Sequence, residues 1–315
     1  MINGSSHAQT SNVKPSFSVV IPTYNSEHFI ANSLLSVLEQ TYENYEVIVS
    51  DDGSIDNTVK IIEDISAKFS EKKILVLRNN HEGPGAARNR GIEAARNDWI
   101  AFFDSDDIWN KEKLERAAEF ILNFPDVDLV CHNEKWLKDG KEITLNLAAS
   151  FNNKINPFLS LYRKNTLSPS GVTVKKALLL KAGMFDETLP SAQDYDLWLR
   201  LAMLPDIRIK YISDILSTYI ERAGNISSDV GLRLECMLRI GRKNNNNLRQ
   251  ISSFPVLEKL RYTGRCYSKA GIDFMRKGNC LKGIRYLIIG IVIWPFRKDW
   301  VLKIIKKMVP HKFIL

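Results

Sequence analysis

Three carboxylates stand within four residues at Asp104-Ser105-Asp106-Asp107, directly after the apolar run Trp99-Ile100-Ala101-Phe102-Phe103. Such a run reads as a buried strand, so the acids lie where the chain leaves a sheet, the edge at which α/β proteins bind ligands. Like charges this close raise one another's pKa values unless a cation neutralises them, and hard oxygen donors select Mg2+ or Mn2+. The competing reading is a solvated acidic loop that caps the amphipathic segment Lys111 to Phe124.

Three further motifs could join this chemistry. Pro22-Thr23-Tyr24-Asn25 follows one apolar run, and Asp51-Asp52-Gly53-Ser54-Ile55-Asp56 follows another. A carboxylate at a strand end can accept from an imide nitrogen or a sugar hydroxyl, and Gly53 permits the tight turn a flat base needs beside it. Asp56 is expected to cap the next helix, which leaves Asp51 or Asp52 for a ligand. In Gly83-Pro84-Gly85-Ala86-Ala87-Arg88-Asn89-Arg90-Gly91, proline suits a first helical turn and small residues allow close packing. Arg88 there could offer an anion a forked set of donors, or could serve as a surface ion-pair residue.

Short branched or aromatic runs predict strands at Phe17 to Ile21, Tyr45 to Ser50, Ile74 to Arg78, Trp99 to Phe103 and Val127 to Cys131. Between them, Ile30, Leu34, Val37 and Leu38 line one helical face, and Val59, Ile62, Ile65 and Phe69 another. Alternation of this kind predicts an α/β fold with a mainly parallel central sheet flanked by helices and its chemistry at the carboxyl ends of the strands. Trp136 to Ile143 carries the Asp-Gly turn of a hairpin, and the polar segment Asn146 to Ser170 is the expected acceptor-recognition region; Phe158, Tyr162 and Ser168 are contacts there by position alone, and packing or turn roles are the favoured reading for each.

In order and spacing, Val20 to Asn25, Ser50 to Asp56, Ala87 to Gly91 and Phe103 to Asp107 resemble family 2 glycosyltransferases with the GT-A fold. Gly183-Met184-Phe185-Asp186 and Gln193-Asp194-Tyr195-Asp196-Leu197-Trp198-Leu199-Arg200-Leu201 extend the resemblance, which spans Phe17 to Ser227. It implies an inverting transfer from a nucleoside diphosphate sugar, most often uridine-linked, to a glycan hydroxyl. Pro22, Tyr24, Asp51, Asp52, Arg88, Asp104 and Asp106 would bind the nucleotide sugar, with Asp52 on the base and Asp51 its substitute. Asp106, Asp104 and Asp107 would hold Mn2+ or Mg2+, and Asp194 would be the catalytic base; a helix cap is the alternative for Asp194. Gln193 stands where the family usually has glutamate, and Arg222 where it often has histidine. Rival readings are a sugar-phosphate nucleotidyltransferase and a non-catalytic nucleotide-sugar or glycan-binding module.

The 315 residues allow one large domain and an accessory region. Residues 1–16 read as a disordered tail without a leader's apolar stretch, 17–227 as the catalytic domain and 228–315 as a helical, basic region. Four cysteines without metal-ligand spacing read as reduced thiols. The net charge of +8 comes with no nucleic-acid-binding signature, so no nucleic-acid partner is expected. Leu287 to Phe296 is almost wholly apolar but shorter than the ~20 residues that span a bilayer. With Trp294, Phe296, Trp300 and the many Lys and Arg residues around them, it predicts either an interfacial helix pair on an anionic membrane or a cap packed on the catalytic domain. A lipid-linked acceptor at the cytoplasmic membrane face, reached by a peripheral enzyme, follows from that resemblance and from the tail.

Overall fold

The computed structural model of the chain describes residues 14–138, 140–222 and 228–296. Its strands are β1 (Phe17–Thr23), β2 (Tyr45–Asp51), β3 (Ile74–Arg78), β4 (Trp99–Phe102), β5 (Ile108–Trp109), β6 (Leu129–Lys138), β7 (Lys141–Leu145), β8 (Thr173–Lys175) and β9 (Ile209–Ile220). The helices are α1 (Ile30–Leu38), α2 (Thr58–Lys68), α3 (Pro84–Ala94), α4 (Lys113–Asn123), α5 (Leu147–Ser150), α6 (Pro157–Arg163), α7 (Lys176–Lys181), α8 (Gln193–Leu201), α9 (Val230–Lys243), α10 (Asn245–Ile251), α11 (Pro255–Arg276) and α12 (Cys280–Ile293).

All the strands join one sheet in the order β3-β2-β1-β4-β8-β6-β9-β5, with β7 beside β6. The first four are parallel, and β1 is buried along its whole length, as a strand covered on both faces must be. The sheet then turns mixed: β8 is antiparallel to β4 and β6, and β9 is parallel to β6 but antiparallel to β5. The strand predicted over Val127 to Cys131 begins at Leu129 and runs on to Lys138, then folds back through the predicted hairpin to β7.

Helix faces follow the predicted periodicity. Ile30, Leu34, Val37 and Leu38 of α1 are buried, as are Ile62 and Ile65 of α2. The small residues of α3 let its backbone press on the sheet, since a Cβ on Gly91 would run into the Val20 side chain of β1. Asn57, not the expected Asp56, holds the N-cap position of α2 and makes no side-chain cap bond; Asp56, one residue earlier, accepts from the Thr58 backbone at 3.0 Å.

Two compact units emerge, interleaved in sequence. The first comprises Met1–Ser150, Leu167–Phe185 and Leu204–Glu221 and contains the entire sheet; the second comprises Phe151–Thr166, Asp186–Met203 and Arg222–Leu315. Inside the second unit, Tyr262 of α11 stacks on Tyr162 of α6 at 4.5 Å between centroids and lies 6.4 Å from the Tyr195 ring of α8. Arg163 Nε donates to both Glu258 oxygens, at 3.0 and 3.1 Å. Phe158 and Tyr162 are therefore core residues of this unit.

In the first unit, fully buried Lys113 donates from Nζ to Thr173 Oγ1 at 3.0 Å and lies 3.9 Å from the centre of the Trp109 ring. Burial pushes its pKa from 10.5 down to about 7, and burial pushes that of nearby Glu134 on β6 up from 4.5 to about 7. Between pH 7 and 10 the unfolded chain thus holds a Lys113 proton that the folded chain lacks, so stability should rise with pH by up to about 1.4 kcal/mol per unit. Lys113→Met should flatten this part of the profile of urea unfolding against pH. An unchanged slope would mean that Lys113 titrates as if in water.

Candidate active site

The four polar motifs meet at the carboxyl ends of β1, β2 and β4 and at the start of α3, all within the first unit. After β2 the two adjacent acids divide their work. Asp51 closes an Asx turn, accepting from Ser54 N at 3.0 Å and Ser54 Oγ at 2.5 Å. Asp52 accepts from the backbone of Glu82 and Gly83, both at 2.9 Å, and lies 2.9 Å from His81 Nδ1. It thereby fixes the loop that enters α3, where Gly83 takes a φ of 98°. A carboxylate offers about four lone-pair sites, so Asp52, though buried, has one that these three donors do not take up.

Tyr24 stacks on His81, with centroids 4.1 Å apart and planes 22° apart, and the residue is 42% exposed. This pair gives a flat, accessible aromatic face beside Asp52, of the kind a nucleobase covers. Pro22 is buried in β1, opposite Ser50 in the ladder. The first and second loops are tied together: Asn25 N donates to Ser54 Oγ at 2.9 Å, and Ile55 N donates to Asn25 Oδ1 at 3.0 Å.

Arg88 reaches from α3 to the acidic turn, donating from one terminal nitrogen to Asp104 Oδ1 at 2.5 Å while its guanidinium lies 5.4 Å from the centre of the Phe185 ring. Its side chain is only 9% exposed, and its Nε–H is buried without an acceptor. A buried, orphaned cationic donor suits an anion such as a pyrophosphate.

Along the turn the side chains alternate. Asp104 and Asp106 are half-buried, whereas Ser105 and Asp107 are buried. Ser170, in the 3-10 turn Pro169–Gly171, holds the inner side. Its hydroxyl donates to Asp107 Oδ2 at 2.5 Å and accepts from Asp104 N at 3.0 Å, and its carbonyl accepts from Trp109 Nε1 at 2.8 Å. Ile220 N donates to the other Asp107 oxygen at 3.3 Å. Burial, together with the charges of Asp106 and Asp104, raises the Asp107 pKa well above the usual carboxylate range. Across the turn, Ser105 Oγ lies 3.2 Å from Ser26 Oγ of the first loop.

Among the described residues no three His, Cys, Asp or Glu side chains are grouped to hold a metal ion. What the outer face of the turn offers is the carboxylates of Asp104 and Asp106. Such a pair fits Mg2+ or Mn2+, which keep waters and take further oxygens from phosphates, and does not suit a metal needing an all-protein cage.

Asp194 belongs to the second unit, as the second residue of α8. The N-cap position is Ala192, in the left-handed region at φ 58°, with no side-chain acceptor. Asp194 is therefore not the N-cap residue; it stands half-exposed in the first turn, where the helix dipole favours its charge. Buried Asp196 pins the helix from the other side through Arg200 Nε at 2.8 Å and Lys243 Nζ at 2.9 Å.

Residues 18–182, just over half of the chain, match the sequence profile of Glycosyl transferase family 2. The chain belongs to this family. The glucosyltransferase WfgD of Escherichia coli, named for UDP-Glc and α-D-GlcNAc-diphosphoundecaprenol, is 33% identical over 216 residues, covering 67% of this chain and 79% of WfgD. An uncharacterized glycosyltransferase of Haemophilus influenzae is 43% identical over 108 residues, 34% of this chain and 43% of that protein. The match thus spans under half of the Haemophilus relative, and 32% of a Rickettsia felis glycosyltransferase. Among solved structures, residues 1–349 of Staphylococcus aureus TarS in complex with UDP-GlcNAc superpose with a TM-score of 0.60 at 24% identity, covering 90% of this chain and 92% of that one. The Pyrobaculum calidifontis mannosyltransferase PcManGT, in complex with GDP-Man and Mn2+, gives 0.62 at 17% identity, covering 93% and 85%. At such identities these likenesses establish the GT-A fold alone, and with it the predicted fold class.

Ser170 and His81 had no signal in the sequence: one is an unremarkable serine distant in the chain, the other lies between motifs. Removing the Ser170 hydroxyl leaves the Asp104 amide and the Asp107 carboxyl short of a partner in a buried setting. Ser170→Ala should lower the unfolding free energy by about 1–3 kcal/mol in urea titrations. An unchanged unfolding midpoint would deny the clamp.

Proposed function

We propose that this family 2 enzyme transfers a sugar from a uridine diphosphate sugar to a hydroxyl of a lipid-linked glycan, with inversion at the anomeric carbon, during surface-polysaccharide assembly. The observation that carries the reading is the clustering of a flat aromatic face, a carboxylate with spare acceptor capacity, a buried orphaned guanidinium N–H and paired outward carboxylates on one sheet edge. The UDP-Glc for which WfgD is named and the UDP-GlcNAc bound to TarS support the choice of uridine.

In this reading the uracil lies on Tyr24, beside Pro22, and its imide N–H donates to Asp52; Asp51 shapes the turn beneath it. Arg88 turns its donors to the diphosphate, with Asp104 close to the ribose. Asp106 and Asp104 would hold Mg2+ or Mn2+, while Asp107 keeps the turn in register from behind. When bound, the divalent ion supplies positive charge for the leaving nucleoside diphosphate. The acceptor oxygen bonds to the anomeric carbon as the bond from that carbon to the phosphate oxygen breaks, and the hydroxyl proton passes to Asp194. One displacement inverts the configuration. The family motif, together with the half-exposed place of Asp194 in the first turn of α8, supports its role as base. A lipid-linked acceptor would bring the protein to the cytoplasmic membrane face as a peripheral enzyme.

Asp106→Ala, or excess chelator, should cut transfer strongly while leaving the unfolding midpoint near that of the parent protein; full activity in chelator would remove the metal from the scheme. For Asp194→Asn, turnover should fall about 100-fold or more with donor affinity unchanged. Calorimetry with the donor and product mass on the same preparation separate the two quantities. Near-normal turnover would exclude Asp194 as the base.

A further inference from the structure

Helix α12 is built the wrong way round for a water-soluble cap. Its buried residues are Gly283 and Gly290, whereas Leu281, Ile284, Ile288 and Val292 are 86, 46, 55 and 75% exposed. Those four recur at intervals of three and four residues, one stripe along the helix, and at 100° per residue the stripe lies opposite the two glycines. The glycines let α12 press backbone to backbone on α11. A Cβ on Gly283 would lie 2.8 Å from Gly271 O, one on Gly290 2.8 Å from Gly264 O, and one on Gly271 2.7 Å from Leu287 N. Small residues at a helix–helix seam with large aliphatic ones turned outward is the arrangement of helices packed in lipid.

The pairings Gly264 with Gly290 and Gly271 with Gly283 make the two helices antiparallel, so the start of α11 lies beside the end of α12. Phe254, Val256 and Leu257 at the start of α11 are exposed as well, and so is Phe296 beyond the end of α12, at 78%. Lys282 and Arg285 are exposed at the opposite end of α12. Among the described residues no helix is long and apolar enough to cross a membrane, and the 14 residues of α12 reach only about 21 Å.

Charge identifies what covers this face. Residues 228–315 carry 19 Lys and Arg against 5 Asp and Glu, a net +14, whereas residues 1–227 carry 25 against 31, a net −6. From Cys280 onward there are eight cations and a single acid, Asp299. The chain's own residues 297–315, or the same face of a second copy, would bring cation to cation. An anionic bilayer surface supplies both an apolar layer and negative charge.

We infer that the α11–α12 hairpin docks on anionic membrane, with the Leu281-Ile284-Ile288-Val292 face of α12 in the acyl boundary and Lys282 and Arg285 among the headgroups. The inference deepens the proposed lipid-linked acceptor and rests on it only for its purpose.

The test is co-sedimentation of the full chain with phosphatidylglycerol-containing and with pure phosphatidylcholine vesicles at low salt, alongside hydrolysis of UDP-sugars in free solution. The parent protein should prefer the anionic vesicles. The double variant Ile288→Asn with Val292→Asn should lose binding at least tenfold, and Lys282→Gln with Arg285→Gln should lose about fivefold per cation, an effect that added salt erases. Both variants should keep the parent unfolding midpoint and donor hydrolysis. Three results would overturn the inference: no preference for anionic vesicles, undiminished binding by the Asn pair, or a lipid-free dimer that the Asn pair dissociates. A parent protein that binds vesicles but hydrolyses no nucleotide sugar would instead unseat the enzymatic reading and leave the docking face standing.

Discussion

The first unit depends on keeping three carboxylates apart within one four-residue turn. Unaided, their repulsion would unfold the turn, and together with burial it already raises the pKa of Asp107. Here each acid meets a different environment. Asp104 receives the Arg88 guanidinium, Asp107 turns inward to Ser170 and the Ile220 amide, and Asp106 keeps to the half-exposed outer side. The single Ser170 hydroxyl serves both directions, donating to one acid and accepting from the backbone of another. The mixed half of the sheet follows from this need: the segment that brings Ser170 to the turn continues into β8, whose antiparallel pairing with β4 sets it beside the strand that carries the acids.

Pre-organisation spreads from that turn by short bridges. Ser105 meets Ser26, Asn25 meets Ser54 and Ile55, and Asp52 gathers the amides that open α3. Each loop is thus held by a neighbouring loop as well as by its own strand, which is how a site on loops attains the rigidity that catalytic positioning demands. In the second unit the same logic acts on α8, whose buried Asp196 is neutralised by cations from α8 itself and from α9. Lys243 also reaches Asp186 at 2.9 Å, so one lysine joins two acids of the motifs on either side of Ala192.

The parallel half of the sheet was legible because β1, β2 and β4 are apolar runs with helical periods between them; their burial imposes the pattern. β8 was not legible, since three residues carry no periodicity, and β5 is shorter still. β9 mixes charged and apolar residues and is matched to β6 through register shifts, so no simple alternation marks it. The motif acids were readable by type and spacing, but adjacent Asp51 and Asp52 are chemically identical in sequence; only the turn at Ser54 and the amides of residues 82 and 83 divide them. The aromatics Phe158 and Tyr162, acceptor contacts by position alone and packing residues on the favoured reading, are buried in their own unit's core. The tail residues Trp300, Lys303, Lys306 and Lys307 lie outside the described residues.

Hydrophobicity alone misreads α12, and the reason is general. An apolar helix predicts burial only when its large side chains supply the contact surface; where glycines supply it, the same composition turns outward. The division of charge then gains a physical sense. A net-negative first part carries the acids proposed to hold a cation beside a phosphorylated donor, and a strongly positive last part carries the outward aliphatic face. Opposite fields at two regions of one chain allow a charged soluble donor and an anionic surface to be attracted by separate groups, without competing for the same cations. Arg88, enclosed between Asp104 and the Phe185 ring, is kept for the former; Lys282 and Arg285, exposed on α12, are available to the latter.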